Sequence, residues 1–240
     1  MSASLFSLGG LVRGLMALGG SVVFLMAWPV ARSALLFQKT DAFYDTVRAG
    51  RPFTLQQLQS ALATVDAAIA AHPTASRHVQ RSELLGAVAA TKSLKVSDQQ
   101  RRAWQQQAKA DLELGLGDDP GRSLDWQRLA IMHEWLDGPS RDVPPLLFMS
   151  IETGRMMSPL WEPRLRIILD NWGYFSDQEK ARLSDYIVEM WRRTDNRYFL
   201  FGRAVYDDID EVILRYVLRH EPNAQEELSK VIAEAKKWRK

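Results

Sequence analysis

The chain has 240 residues, and its 31 lysines and arginines nearly balance its 29 aspartates and glutamates. This balance lacks the concentrated basic face that nucleic-acid binding requires, so we expect no nucleic acid among its partners. The absence of cysteine excludes disulfide bonds, zinc sites built on cysteine and thiol nucleophiles.

The first predicted element is an apolar N-terminal segment. Gly14–Ala31 contains no charged residue and lies between Arg13 and Arg32. A bilayer core requires about 20 apolar residues as a helix, and arginines at the rims of such a helix can extend their charge into the headgroups. Trp28 suits the interface between lipid and water. The sequence therefore predicts a membrane anchor over residues 1–36.

Two glycines and the flanking charges bear on how this anchor is used. Gly10 and Gly14 form a small-xxx-small pair of the kind that packs helices together in membranes.

A cleaved signal peptide and a buried core helix are the alternatives to a membrane anchor, although Ala31-Arg32-Ser33 is a poor cleavage site. The cationic residues after the segment favour a cytoplasmic body, whereas a short leading tail suits a signal anchor with the body outside. The sequence leaves this orientation open, and we expect a periplasmic body on the grounds of the resemblance described below.

The remainder is predicted to be all-α. A linker over residues 37–53 precedes one helical domain over residues 54–240, whose apolar positions recur at helical spacing. Thr54 is predicted to cap its first helix, and Ser176-Asp-Gln-Glu179 is a capping-box sequence. The predicted helices begin or end at Gly, Pro or capping residues and cover residues 54–72, 76–91, 97–116, 123–136, 146–154, 161–172, 177–191 and 204–219, with a charged tail helix to 240.

The helix breaks recur roughly every 15 to 20 residues, which favours stacked helical hairpins. Trp126-x-x-Leu129-Ala130-x-x-His133 matches the opening of the tetratricopeptide (TPR) pattern, with Ala and His as substitutions. We therefore predict one N-terminal transmembrane helix followed by a helical-hairpin domain. A TPR-like repeat and an irregular α-solenoid both remain open.

Several segments between residues 120 and 195 are arranged in a familiar order. They are Leu124–Ala130, Met149-Ser150, Gly154, Ser158–Arg166, Trp172, Gln178 and Arg182. This order resembles small single-pass inner-membrane proteins associated with bacterial exopolysaccharide biosynthesis, which carry a TPR-like helical body. The resemblance implies an accessory or scaffold protein of the bacterial envelope, with its body outside the cytoplasm, and it implies no catalytic residues.

The sequence contains two segments that resemble metal-binding motifs, and both are incomplete. His133-Glu134 begins like the zinc motif His-Glu-x-x-His, but Asp137 stands where the second histidine belongs. The acidic run Asp207–Glu211 lacks the turn glycine and alternating ligands of a calcium loop. We expect no metal, no cofactor and no enzymatic activity.

The predicted function is that of a membrane-anchored, non-catalytic adaptor or scaffold that binds other envelope proteins, because stacked helical hairpins offer an extended surface. The predicted partner-binding residues, all taken to be exposed, are Trp126, Arg155, Trp161, Arg164 and Arg166. The alternative is a structural or assembly subunit of a membrane complex, held through its transmembrane helix. An enzyme acting on envelope glycans is a third and less favoured reading.

Overall fold

The computed structural model describes the backbone of residues 8–91 and 94–238 and the side chains of residues 16–91 and 94–237. All regular structure in these residues is helical, which confirms the predicted all-α class. The chain divides into two compact units, unit 1 (Met1–Trp104) and unit 2 (Gln105–Lys240). The sequence prediction had instead divided the chain after residues 36 and 53.

Unit 1 is built from four helices and the start of a fifth: α1 (Leu8–Gln38), α2 (Asp41–Arg48), α3 (Leu55–Ala71), α4 (Ala75–Ala90) and α5 (Asp98–Asp118), which crosses into unit 2. The capping prediction for Thr54 is confirmed. Its hydroxyl accepts a hydrogen bond from the backbone N–H of Gln57, whose side chain accepts one from the Thr54 N–H in return. Such reciprocal bonds satisfy two amides that would otherwise lack partners at the helix start.

Helix α1 has two different halves. Its residues from Met16 to Val30 are largely exposed, whereas Ser33 and Phe37 near its end are buried, and the helix packs against α3. Pro29 lies inside the helix without ending it. The helix is therefore continuous from its exposed apolar half into the core of unit 1.

The span Met16–Gln38 is long and apolar enough to cross a membrane, and only 11% of its most apolar window is buried. This low burial argues against the alternative of a core helix, whereas a signal sequence would pass the same test. Gly10 and Gly14 lie within the α1 backbone, but their surroundings fall outside the described side chains. Their packing role stays a prediction.

The predicted linker contains a packed helix. Within residues 37–53, α2 buries Tyr44, whose hydroxyl donates to the Gln80 carbonyl in α4 at 2.7 Å. The Tyr44 ring also stacks on Phe37, with 5.7 Å between the ring centroids. The interpretation of this segment as a linker is thus corrected, because the Tyr44 side chain fixes it to α1 and α4.

Up to residue 238, where the described backbone ends, unit 2 contains six further α-helices: α6 (Ser123–Asp137), α7 (Val143–Gly154), α8 (Trp161–Asp170), α9 (Asp177–Arg193), α10 (Asp208–Val217) and α11 (Ala224–Trp238). Short 3-10 helices occupy Ser158–Leu160 and Trp172–Tyr174, and a π-helix occupies Tyr198–Gly202. The predicted Ser176 capping box is confirmed. The core is aliphatic and aromatic, and its fully buried members include Leu147, Leu165, Ile168, Leu183 and Ile187.

One predicted helix is shorter than expected. The spacing predicted a helix over 204–219, but α10 begins at Asp208 because Asp207 caps it: the Asp207 carboxylate accepts from the Asp210 N–H. The helix lengths of unit 2 vary from 10 to 17 residues, and the repeat character of the hairpins stays a prediction.

Candidate partner-binding surface

Arg164 was expected to be exposed and is instead fully buried, so this prediction is corrected. Its guanidinium donates five hydrogen bonds, all to uncharged acceptors: the Ser150 hydroxyl and carbonyl, the Ser123 hydroxyl, the Gly154 carbonyl and the Tyr186 hydroxyl. These acceptors come from α6, α7 and α9. A planar guanidinium with five donors is the one side chain that can join three helices in this way. Arg164 therefore organises the interior of unit 2 and cannot contact a partner.

The buried cation sits where two helices come unusually close. A Cβ atom added to Gly154 would lie 2.6 Å from the Ser123 hydroxyl oxygen, which is closer than such atoms approach. The Ser123 hydroxyl in turn donates to the Ser150 carbonyl at 2.7 Å, and the Ser150 hydroxyl donates to the Ser123 carbonyl at 2.8 Å. Glycine at position 154 thus allows α7 to approach α6 closely enough for Arg164 to bind both.

Trp161 is also buried, which corrects its predicted exposure, and it holds the backbone of Arg155 by a hydrogen bond. The indole N–H of Trp161 donates to the Arg155 carbonyl at 3.2 Å, and the Tyr186 hydroxyl donates to the same carbonyl at 3.4 Å. Burial raises the pKa of Tyr186, so this hydroxyl stays a donor. Three of the five predicted residues therefore form one assembly in which Arg164 and Trp161 position the exposed Arg155.

Arg155 lies at the rim of a groove between α7 and α9. The groove has a volume of about 190 Å³, and its floor is formed by Phe148, Ile151, Leu183 and Tyr186. Two exposed arginines cover the aromatic rings: Arg182 lies 4.5 Å from the Phe148 centroid, and Arg155 lies 5.3 Å from the Tyr186 centroid. This stacking leaves the N–H groups at the guanidinium edges able to pair with carboxylates beside the rings.

Both arginines have glutamate partners that a ligand can replace. Arg155 contacts Glu189 at 2.8 Å, and Arg182 contacts Glu152 at 2.9 Å. Ion pairs this exposed to water contribute about 0–1 kcal/mol. An incoming carboxylate can therefore exchange with them at little cost, while an apolar side chain occupies the floor.

Arg182 and Phe148 were not among the predicted partner-binding residues. A signal for them does exist in the sequence, because Phe148 lies four residues before Glu152 and Arg182 lies four residues before Tyr186. Residues four apart share a helix face. The sequence does not indicate, however, that the two faces meet.

Arg166 is not part of this groove. It forms ion pairs with Asp170 and, at 2.7 Å, with Asp210, and it also donates to the Ala204 carbonyl. Burial opposes ionisation of Asp210, but hydrogen bonds from Arg166 and from the Tyr206 backbone keep its pKa below the ordinary value. Arg166 therefore fastens α10 to α8, and nothing in this arrangement frees it for a partner.

Trp126 likewise has a structural contact. Its ring is half-buried, and its indole N–H donates to the Pro120 carbonyl at 2.7 Å, which closes the turn before α6. Among the described residues, no hydrogen bond, ion pair or ring contact joins Trp126 to the groove residues.

The Glu134 carboxyl near the end of α6 interacts with the Asp170 carboxyl at the end of α8. Burial, followed by the negative charge of Asp170, raises the pKa of Glu134 to about 7, while an Asn171 amide donates to Glu134 at 3.0 Å. The neighbouring His133 has a lowered pKa, chiefly because it is partly buried. Among the side chains of residues 16–91 and 94–237, no group of three or more metal-binding residues occurs. The contacts of Glu134 tie α6 to α8, which accounts for its burial.

The chain matches no protein-family model, no curated protein and no solved structure.

Proposed function

We propose that this protein is a membrane-anchored, non-catalytic adaptor whose α7–α9 groove binds an acidic segment of another envelope protein. The observation that carries the proposal is the groove itself: an apolar floor beside two exposed guanidinium groups, Arg155 and Arg182, which stack on its aromatic rings, with the Arg155 backbone held by the buried Trp161 and Tyr186. A site held rigid before binding loses less conformational entropy when its ligand arrives.

The chemistry of the groove defines its partner. The two arginines require carboxylates, and the floor of Phe148, Ile151, Leu183 and Tyr186 requires at least one apolar side chain between them. The volume of about 190 Å³ suits a few side chains of a peptide rather than a whole cofactor. An acidic-apolar segment of a membrane or envelope protein meets these requirements.

The choice of membrane and of the side on which the body lies depends on the resemblance alone. We propose the bacterial inner membrane, with the body on the periplasmic side, next to machinery that makes or exports an exopolysaccharide. The exposed apolar half of α1 supports the membrane part of this proposal.

The test reverses the charge of the groove in the full-length, membrane-inserted protein. Arg155→Glu combined with Arg182→Glu should abolish co-purification of partners after mild solubilisation, because an acidic ligand is then repelled. Arg48→Glu is the matched control, since Arg48 is another exposed arginine that pairs with a glutamate, Glu83, in unit 1. Retention of the same partners by the double groove variant would refute the proposal.

The alternative function is that of an assembly subunit held through its transmembrane helix, and the continuity of α1 shows how to separate the two. Residues 8–30 can be replaced by an unrelated membrane span, whereas Ser33 and Phe37 must be kept because they belong to the core of unit 1. An adaptor retains its partners after this exchange. An assembly subunit held through α1 loses them.

A further inference from the structure

Helix α10 presents an apolar face to solvent. Ile209, Val212 and Tyr216 are 69%, 64% and 58% exposed, whereas Ile213 and Leu214 on the other side of the helix are buried. The three exposed residues follow the i, i+3, i+7 spacing of a single helix face. Surface helices normally carry polar residues there, so a contiguous apolar face of this kind indicates a contact surface.

This face is held firmly in place. Asp207 and Asp210 form a capping box at the start of α10, and Asp210 is paired with Arg166 of α8 at 2.7 Å. Because the helix is fixed at its N-terminal end by both contacts, the apolar face is preorganised for binding.

Opposite charges stand at the two ends of the face. Asp208 is exposed in the first turn, and Arg219 is exposed just beyond the last turn, with its guanidinium 4.1 Å from the Tyr216 ring centroid. Asp208 lies one turn before Val212 on α10, and Arg219 lies in the turn after α10, where its contact with the Tyr216 ring places its charge at the C-terminal end of the apolar face. In chain order, this face is acidic, then apolar, then basic.

Such an order is complementary to itself when two copies meet in opposite directions. We propose that two copies of this chain associate through α10, antiparallel about a two-fold axis near Val212. Ile209 then faces Tyr216 of the second copy, and Asp208 faces Arg219 of the second copy, twice over by symmetry. An isologous contact of this type closes on itself and gives a dimer rather than a filament.

A contact through the single ten-residue helix α10 is small, because stable interfaces bury about 800 Å² on each partner. Tethering of both copies to one membrane compensates for this, because it raises the effective concentration of one face around the other. The dimer does not involve the α7–α9 groove, so the proposal goes beyond the adaptor function and can fail independently of it.

Disulfide trapping tests the geometry, since the chain contains no cysteine. In full-length protein reconstituted in liposomes, Val212→Cys places two thiols next to the two-fold axis and should yield a covalent dimer under mild oxidation. Ala181→Cys, at an exposed position of α9, is the matched control and should yield little dimer. Equal yields from the two variants would overturn the proposal.

Charge exchange tests the direction of the pairing. In the Val212→Cys background, Asp208→Arg and Arg219→Asp should each lower the dimer yield by at least ~5-fold, because each brings like charges together. The two substitutions combined should restore the yield, since the ends have then exchanged their signs. Failure of the combined variant to recover, with helicity intact, would overturn the antiparallel arrangement. Cross-linking of Val212→Cys to a different protein in native membranes would overturn it in favour of another partner.

Discussion

Replacing Arg164 by methionine tests whether the buried guanidinium holds unit 2 together. The substitution removes five charge-assisted hydrogen bonds, which are stronger than hydrogen bonds between neutral groups. It also removes a charge from the interior, which returns several kcal/mol of desolvation free energy. The acceptors are not abandoned, because the Ser150 carbonyl keeps the hydroxyl of Ser123 and the Tyr186 hydroxyl still donates to the Arg155 carbonyl. We expect a net loss of about 3 kcal/mol.

Arg164→Lys separates the shape of the guanidinium from its charge. Lysine keeps the cation buried but has a compact ammonium with three donors, so we expect it to be at least as destabilising as methionine. Thermal unfolding of the full-length protein in detergent should show unit 2 melting about 6–12 °C lower for both variants. Arg155→Met, at the exposed rim, should leave the melting temperature nearly unchanged. A lysine variant as stable as the wild type would refute the reasoning, because charge alone would then suffice.

Three further predictions concern packing, titration and capping. Gly202→Ala should destabilise unit 2 by about 1–3 kcal/mol in chemical denaturation, because its Cβ would lie 2.7 Å from the backbone carbonyl of Val231; an unchanged midpoint contradicts this. Burial and Asp170 raise the pKa of Glu134 to about 7, so the folded state binds this proton more tightly than the unfolded state. The stability of unit 2 should then fall as pH rises from about 4.5 to about 7. In Glu134→Gln, the denaturation midpoint should vary less with pH across this range. A pH profile identical to that of the wild type contradicts the assignment. Thr54→Ala should cost unit 1 about 1 kcal/mol through the lost capping box, with unit 2 as the internal control.

Local signals in the sequence predicted much of the fold. The helix starts at Thr54 and Ser176 depend on hydrogen bonds between residues three positions apart, so they can be predicted from a short stretch of sequence. The stop at His72-Pro73 is similarly local, because proline disfavours a helix in the residue before it. These features explain why the all-α class and most helix bounds could be predicted.

Contacts between distant residues account for the failures. Arg164 looks like a surface residue from its neighbours, and its burial depends on hydroxyls and carbonyls that lie 10 to 41 positions away. The predicted linker is packed because Tyr44 reaches a carbonyl 36 positions later. A sequence pattern carries no information about such acceptors.

The candidate surface was predicted only in part. Arg155 could be chosen from the sequence as an exposed cation, but Arg182 joins it only because α7 and α9 lie side by side. The apolar face of α10 was also missed, since the same spacing of aliphatic residues predicts a buried face just as well.

We propose that the exposed half of α1 lies in lipid while the helix continues into a folded body. A nitroxide attached to Val23→Cys in liposome-reconstituted protein tests this most directly, because Val23 is exposed and the chain has no competing cysteine. We predict that this label is accessible to dissolved oxygen and protected from a water-soluble nickel complex, with the opposite result for a label at the exposed Gln56→Cys in unit 1. Equal access of the nickel complex to both labels would contradict the account.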